Sequence, residues 1–426
     1  MKKNVLFVGD LRPVNNYGAV ATTEMLLKLL QDENLNVNYK LIDFRSLYNP
    51  TPVDGFKTES KPCVLKCIVK KLLPTSLIKR IRNNYIGNQN NDFVPYKLSQ
   101  YEDYYCQMND GKILQYEKKL LEWADIIFIN GEGNIVNGTD KFGKYRMGAR
   151  YLLFMAWVGK IKFNLPTFIV NHTVDPNNYN AFEIIENVYP KLDKVLVRET
   201  LSLPLLEQHN VKNAEFVADA LFTYKPAEDW QPSEKLSRQI DFSKPYICIG
   251  DSSGIRNAYN QVKWNVVDVF SEIIDKIKQI IPQVIFVDGY NGGNEDINRV
   301  IRKNKIGYVN FDNCDYHDLY QVLKRAKLFI SGRWHASILC VLANTPILSW
   351  GADSHKTKSL YTLLEYPYRF FEVSTLPTNI PEMIDESRNI LNNADKIKSN
   401  IKTKVEILAA SARGNSTFLN QYVDKK

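Results

Sequence analysis

Short runs of β-branched and other apolar residues alternate with stretches of helical periodicity along the 426-residue chain, and few folds accommodate that alternation. Strands that are apolar throughout are buried on both faces, and strands separated by helices are joined by crossovers into parallel sheets. The first half offers strands at Asn4–Val8, Tyr39–Asp43, Ile126–Asn130, Thr167–Asn171, Lys194–Arg198 and Glu215–Ala218. The second offers Tyr246–Gly250, Gln283–Asp288, Gly307–Phe311, Lys327–Ser331 and Pro346–Trp350, with helices at Val267–Ile280, Tyr316–Arg325 and Ala336–Ala343. A polar, proline-marked stretch from Tyr224 to Ser243 reads as the linker between the halves.

The length exceeds what one hydrophobic core organises, so two domains are expected. The fold class is α/β, with two Rossmann-like domains facing a cleft. The first covers residues 1–225 with a basic helical insertion at about 57–120, and the second covers 226–385. Helices over 386–426 are expected to pack back on the first domain. With 44% hydrophobic and 24% charged residues the chain is globular rather than disordered or fibrous. A net charge of +8 over this length is a mild bias towards anionic partners and no nucleic-acid footprint.

The six cysteines form no CxxC pair and no metal spacing, which points to reduced thiols, with Cys248 and Cys340 in core runs. No HExxH or carboxylate cluster suggests a metal site, so none is expected. The opening MKKNVLFVGD is too short for a signal peptide, and no run reaches the ~18 apolar residues of a membrane span. A cytoplasmic location is the expectation.

Open parallel sheets bind ligands beyond the carboxyl ends of their strands, so residues that follow strands are the candidates. After the first strand come Asn15, Asn16, Tyr17 and Gly18 at the start of a helix, whose free N–H groups suit an anion or hydroxyl. Ile126–Asn130 runs into Gly131-Glu132-Gly133-Asn134, where two glycines allow close approach and Glu132 can serve as a base. Thr167–Asn171 ends at His172, and Lys194–Arg198 closes on Arg198, whose plain reading is an arginine paired with Glu199 or Asp219. The densest constellation is LFISGRWHASILCVL. There Arg333 offers a fork for carboxylate or phosphate, His335 can move a proton, and a helix N-terminus favours negative charge. Ser354, His355 and Lys356 add a basic group at the same edge.

Together these residues carry a resemblance. VRETLSLPLLEQHNVKNAEFVADALF is similar to the Arg-Asp/Glu-x-x-Ser…Asp segment of polysaccharide pyruvyl transferases, and GRWHASILCVLANTPIL resembles that family's Arg-Leu-His segment. NGEGN stands where the family has a glycine-rich strand end, NNYGAVATTEML fits its opening loop, and the similarity runs in order from about residue 4 to 365. It implies a GT-B-like pair of Rossmann-type domains and transfer of pyruvate from phosphoenolpyruvate onto a sugar. Carried across by position, His172, Arg198, Arg333 and His335 are donor-site residues. Trp334 replaces the usual leucine, Glu132 a glycine, and Glu199 stands where aspartate is commoner.

From the residues and the resemblance together, His335, His172 and Glu132 are expected to be catalytic. Arg198, Arg333, Ser354, His355 and Lys356 are expected to bind the donor, and Asn16, Tyr17, Gly18 and Asn134 the acceptor. The resemblance implies an acceptor that is a sugar of a cell-surface polysaccharide or a lipid-linked oligosaccharide and phosphoenolpyruvate as the donor substrate, and no other cofactor is expected. Alternatives are a nucleotide-sugar glycosyltransferase, with Arg333, Ser354 and Lys356 on the phosphates, or a non-catalytic sugar-binding homologue. Between Lys57 and Arg82 eight basic residues interleave with apolar ones. Such a segment, over 57–90, suits peripheral contact with the inner face of a membrane, and a solvated helical excursion is the plainer alternative.

Overall fold

The structure is a computed structural model that describes residues 2–14, 16–31, 35, 37–43, 93–136, 146–256, 262–289 and 295–423. The basic segment at 57–90 lies outside them.

Eleven named strands among the described residues form two wholly parallel sheets. In the first, β1 (Lys3–Asp10), β2 (Val37–Asp43), β3 (Ile126–Glu132), β4 (Thr167–His172), β5 (Lys194–Val197) and β6 (Ala214–Phe216) lie in the order β2-β1-β3-β4-β5-β6. In the second, β7 (Tyr246–Ser252), β8 (Gln283–Val287), β9 (Gly307–Val309), β10 (Phe329–Gly332) and β11 (Ile347–Leu348) are ordered β11-β10-β7-β8-β9. Every strand read from the sequence is present.

The connections are helical. The first lobe carries α1 (Tyr17–Leu30), α2 (Tyr101–Asn109), α3 (Gln115–Trp123), α4 (Met147–Trp157), α5 (Tyr179–Val188) and α6 (Ser202–Gln208). In the second are α7 (Val266–Lys278), α8 (Glu295–Asn304), α9 (Tyr316–Arg325), α10 (Trp334–Leu342) and α11 (Lys356–Leu364), followed by α12 (Ile380–Asn392) and α13 (Ala394–Ala412). Side chains on β1 alternate between two cores: Val5 and Phe7 face one, Leu6 and Val8 the other. The Val5/Phe7 core runs on without a break into that of the second sheet.

The end of the chain returns to the first lobe. Ser411 Oγ accepts from the Ala218 N–H at 3.1 Å, and the Asn415 amide donates to the Ala218 carbonyl at 3.0 Å. Phe418 and Tyr422 close on the buried Phe168 of β4, with ring centroids 4.7 and 4.8 Å away. Among the described residues no helix is long and apolar enough to cross a membrane. Cys106, Cys248, Cys314 and Cys340 are free thiols.

Phe168 ties β4 to the segment that follows α13, so Phe168→Ala should cost about 3–5 kcal/mol of stability by urea denaturation. A loss below about 1 kcal/mol would mean that the segment after α13 does not hold the first lobe.

Candidate functional site

Strand order reverses between β1 and β3 in the first sheet and between β7 and β10 in the second. At such a point the flanking connections leave on opposite faces and a crevice opens beyond the strand ends. Both crevices open onto one cavity of about 120 Å³, lined by Asn16, Gly18, Glu132, Gly133, Arg146 and Arg198 from the first lobe and Ser253, Gly332, Arg333, His335, Asp353 and Lys356 from the second.

Arg198 follows β5 and is buried almost completely. Its Nη1 donates to Asp219 Oδ2 at 3.0 Å and Glu132 Oε1 at 3.3 Å, its Nε donates to Thr173 Oγ1 at 3.1 Å, and Nη1 lies 3.0 Å from His335 Nε2 of the other lobe. The same imidazole nitrogen is 3.3 Å from Glu132 Oε1 and 3.6 Å from Asp219 Oδ2. Unprotonated, Nε2 accepts from Arg198; protonated, it faces two carboxylates. The ring therefore has a partner in either state, as a group that exchanges a proton needs. Its other edge presses on α1: a Cβ built on Gly18 would stand 1.9 Å from His335 Nδ1. Close approach between lobes, rather than loop flexibility, requires glycine here.

Asp219 also accepts from Trp334 Nε1 at 3.0 Å, and the indole lies 5.5 Å from the Arg198 guanidinium carbon. Burial works to raise the pKa of Asp219, but His335, Arg198 and Trp334 outweigh it and hold the carboxyl well below its ordinary value. Glu132 behaves likewise. Burial acts upwards and is the largest single influence, but Arg198, His335, the Gly133 N–H and Lys356 together outweigh it, and the group stays ionised. Its backbone sits at φ +43°, a left-handed conformation that costs a non-glycine residue about 1 kcal/mol and clusters at functional sites.

Arg333 donates from Nε to Asp251 Oδ1 at 2.7 Å and stacks beside Gly289, where a Cβ would come within 3.2 Å of Nε. Lys356 Nζ donates to Asp353 Oδ1 at 2.8 Å, and Arg146 Nη2 reaches Asp353 Oδ2 at 3.5 Å. Each cavity cation thus already leans on a carboxylate, which fixes its position before any ligand arrives. Helices α1, α10 and α11 all begin at the cavity, at Tyr17, Trp334 and Lys356. Their N-terminal dipoles add a field that favours a negative ligand.

Among the expected catalytic and donor groups, Glu132, Arg198, Arg333, His335 and Lys356 come together here. Asn16 and Gly18 also line the cavity, with Asn16 Oδ1 capping α1 by accepting from Gly18 and Ala19 N–H. Tyr17 joins them, its ring packed 5.2 Å from Phe311 across the lobes.

His172 does not reach the cavity, and a base there is corrected to a core histidine. It is wholly buried, its Nδ1 is 2.9 Å from the Leu196 carbonyl and its Nε2 is 3.2 Å from Tyr189 OH. Asn134 closes its own turn by donating to the Gly131 carbonyl at 2.9 Å and does not line the cavity either. His355 faces away into the lobe interface, with Nε2 3.1 Å from Glu199 Oε1 and Nδ1 3.4 Å from Asp175 Oδ2. Ser354 precedes it in the same turn, outside the cavity wall. The plain pairing for Arg198 is met by Asp219, while Glu199 caps α6, accepting from Leu201 and Ser202 N–H at 2.8 and 3.2 Å.

Sequence reasoning missed Arg146, Ser253 and Asp353. Arg146 immediately precedes α4, and nothing in its local sequence marks it as facing a second lobe. Among the described residues no group of three or more His, Cys, Asp and Glu side chains could hold a metal ion.

Solved structures place the fold. The chain resembles the UDP-GlcNAc 2-epimerase of Methanocaldococcus jannaschii in complex with UDP-GlcNAc and UDP at 12% identity, with 92% of this chain and 93% of that one covered and a TM-score of 0.50. A glycosyltransferase from Rickettsia africae ESF-5 is similar at 14% identity over 100% and 99% of the two chains, with a TM-score of 0.53. Anabaena Alr3699/HepE in complex with UDP and glucose gives 11% identity, full coverage of both chains and a TM-score of 0.52. At these identities the likeness is one of fold, the GT-B arrangement of two Rossmann-like domains. No curated protein matches the chain. A family model described as polysaccharide pyruvyl transferase matches residues 16–350.

Gly18→Ala must push His335 aside or part the lobes. We expect a loss of about 1–3 kcal/mol and a changed chemical shift for the His335 ring; an unmoved ring signal would contradict the contact. Burial pushes the pKa of His172 down to about 4, against the Leu196 hydrogen bond that acts upwards. Between about pH 6.5 and 4 the unfolded chain takes up a proton that this folded site refuses, so stability is lost as the pH drops across that window, by up to about 3 kcal/mol. Urea titrations at pH 7 and 4.5 should show a loss about 2–3 kcal/mol greater for wild type than for His172→Gln. Equal losses would place the acid sensitivity elsewhere.

Proposed function

Starting from a chain that belongs to the polysaccharide pyruvyl transferase family, we propose that it transfers pyruvate from phosphoenolpyruvate to two hydroxyls of one sugar, forming a ketal. The reading is supported above all by the 3.0 Å approach of Arg198 Nη1 to His335 Nε2, which sets a cation and a proton-transfer group from opposite lobes on one cavity wall.

Phosphoenolpyruvate carries a carboxylate and a phosphate on three carbons. In the proposed reaction Arg198 and Arg333 hold these anionic groups, the fork of Arg333 being kept in place by Asp251. The proton on His335 Nε2 passes to the methylene carbon, which becomes the methyl group, and positive charge develops at the enol carbon. Glu132 and Asp219, both ionised, face the imidazole, while the substrate's own carboxylate stands beside the forming oxocarbenium centre. One sugar hydroxyl adds to that carbon, the carbon–oxygen bond to phosphate breaks, and the second hydroxyl closes the ketal. Of the two hydroxyl protons, one restores His335 and the other leaves with phosphate. Glu132, held below its ordinary pKa, is a better orienting anion for His335 than a strong base.

The acceptor in this reading is a sugar of a surface polysaccharide or of its lipid-linked precursor, met along the α1 edge at Asn16 and Gly18. The basic segment at 57–90 would hold the enzyme near an anionic membrane surface where such an acceptor resides.

His335→Gln should lower phosphoenolpyruvate-dependent pyruvylation about 10²–10⁴-fold with an unchanged unfolding midpoint. Arg333→Lys keeps the charge near Asp251 but loses the fork, and should act mainly on KM for phosphoenolpyruvate. Turnover of His335→Gln at the wild-type rate would overturn the mechanism. Thermal stabilisation by nucleotide sugars but not by phosphoenolpyruvate would overturn the donor.

A further inference from the structure

The two lobes are joined in two different ways. Along α1 the join is apolar: Tyr17 meets Phe311 with ring centroids 5.2 Å apart, Tyr316 OH donates to Glu24, and one core runs from Val5 and Phe7 into the second sheet. The core on the other face of the first sheet, which holds Val174, Val197 and Leu206, is built among the described residues from the first lobe alone. Asp175, Glu199 and Ser202 lie just beyond those residues, and they meet the start of α11 through polar groups.

His355 is the hub of that contact. Its ring stands between two carboxylates of the first lobe, with Nδ1 3.4 Å from Asp175 Oδ2 and Nε2 3.1 Å from Glu199 Oε1. Its backbone N–H donates to Asp175 Oδ2 at 3.0 Å, and four residues on, Ser359 Oγ accepts from the Thr200 N–H at 3.3 Å. The Ser202 hydroxyl lies 3.4 Å from Nε2 and also bonds Glu199. On its own turn Lys356 is the neighbouring cation, paired at 2.8 Å with Asp353, which Arg146 also reaches. Burial acts upwards on Glu199, but His355, Ser202 and the Leu201 N–H together outweigh it, so this carboxylate stays ionised. An imidazole serves two carboxylates only with a proton on each nitrogen. Neutral, it has one N–H and one lone pair, and the carboxylate facing the lone pair is repelled.

We propose that His355 is a proton-operated latch between the lobes: protonated, it holds the start of α11 against Asp175 and Glu199, and on losing the proton it lets this edge open. Lys356, the next residue, lines the cavity, so opening here moves a cavity wall and gives a ligand a way in or out. The apolar join along α1 stays closed and acts as the hinge. The latch serves whatever ligand the cavity takes. Burial is the largest influence on the ring and acts downwards, as does Lys356, but Glu199 and Asp175 outweigh them and raise the pKa above the ordinary histidine value. Closure therefore has its full support below about pH 6.5, where the ring is protonated in open and closed forms alike, and loses it as the pH rises through the raised value.

Two amides report the state of this edge, those of Thr200 and His355, whose N–H groups donate across the lobes. Hydrogen exchange of the full chain, read by mass spectrometry on short peptides and divided by the intrinsic rate at each pH, measures their protection. In wild type it should fall about tenfold between about pH 6 and about pH 8.5, while the Ala218 amide, which donates to Ser411, changes less than about twofold. His355→Gln should show at both pH values the low protection of wild type at the higher one. Asp175→Asn presents an amide that donates to a neutral ring, and should lose the pH dependence. His335 also spans the lobes, so the two variants decide which histidine acts. Wild-type protection constant within about twofold, a fall as large as that of wild type in either variant, or full protection of His355→Gln at about pH 6 overturns the latch. None of these readouts uses phosphoenolpyruvate, so failure of the proposed reaction leaves the latch standing.

Discussion

Burial of the Arg198 guanidinium is the constraint on which the rest of the site depends. A charge taken from water into a protein interior is tolerated only with partners that return most of its lost hydration. Here those partners come from four separate places: Glu132 at the end of β3, Thr173 after β4, Asp219 after β6 and His335 at the start of α10. Three belong to the first lobe and one to the second. Satisfying this arginine therefore fixes how the two lobes meet, and brings His335 to the one position where its Nε2 has a partner both with and without a proton.

The same economy explains why the cavity, though built of cations, is not a strongly positive hole. Arg333, Lys356 and Arg146 each rest against a carboxylate, so their side chains are ordered in advance and a ligand need not spend its binding energy on arranging them. Attraction for an anion then comes from the three helix N-termini that begin at the cavity. Glycine does the complementary work at one point: Gly18 leaves the space that His335 of the facing lobe takes up, so a side chain there would intrude on the contact between the lobes.

Much of this was legible beforehand, and unevenly. Strand positions came through because a parallel strand covered on both faces must be apolar for several residues, and β1, β4, β7 and β8 leave no other reading. Gly332-Arg333-Trp334-His335 was legible because a strand end, a glycine and a helix start fall in succession, and that succession already places a side chain at a crevice. His172 satisfied the same positional rule and still proved a core residue. The rule gives the end of a strand but not which way the last side chain turns, and this one turns to the Leu196 carbonyl and Tyr189 OH. Arg146 and Asp353 escaped for the converse reason, since neither stands in a motif and each matters only through the other.

The amino-acid order alone determined two α/β lobes, their strands and the family, because periodicity and local motif are properties of short stretches of chain. Which groups share a cavity was decided only when the lobes closed, since Arg198 and His335 are 137 positions apart and Arg146 and Asp353 207. No local pattern encodes such pairings. They follow from the cost of leaving a buried charge unpaired, and that cost can be met only by residues that the complete fold brings within hydrogen-bond reach.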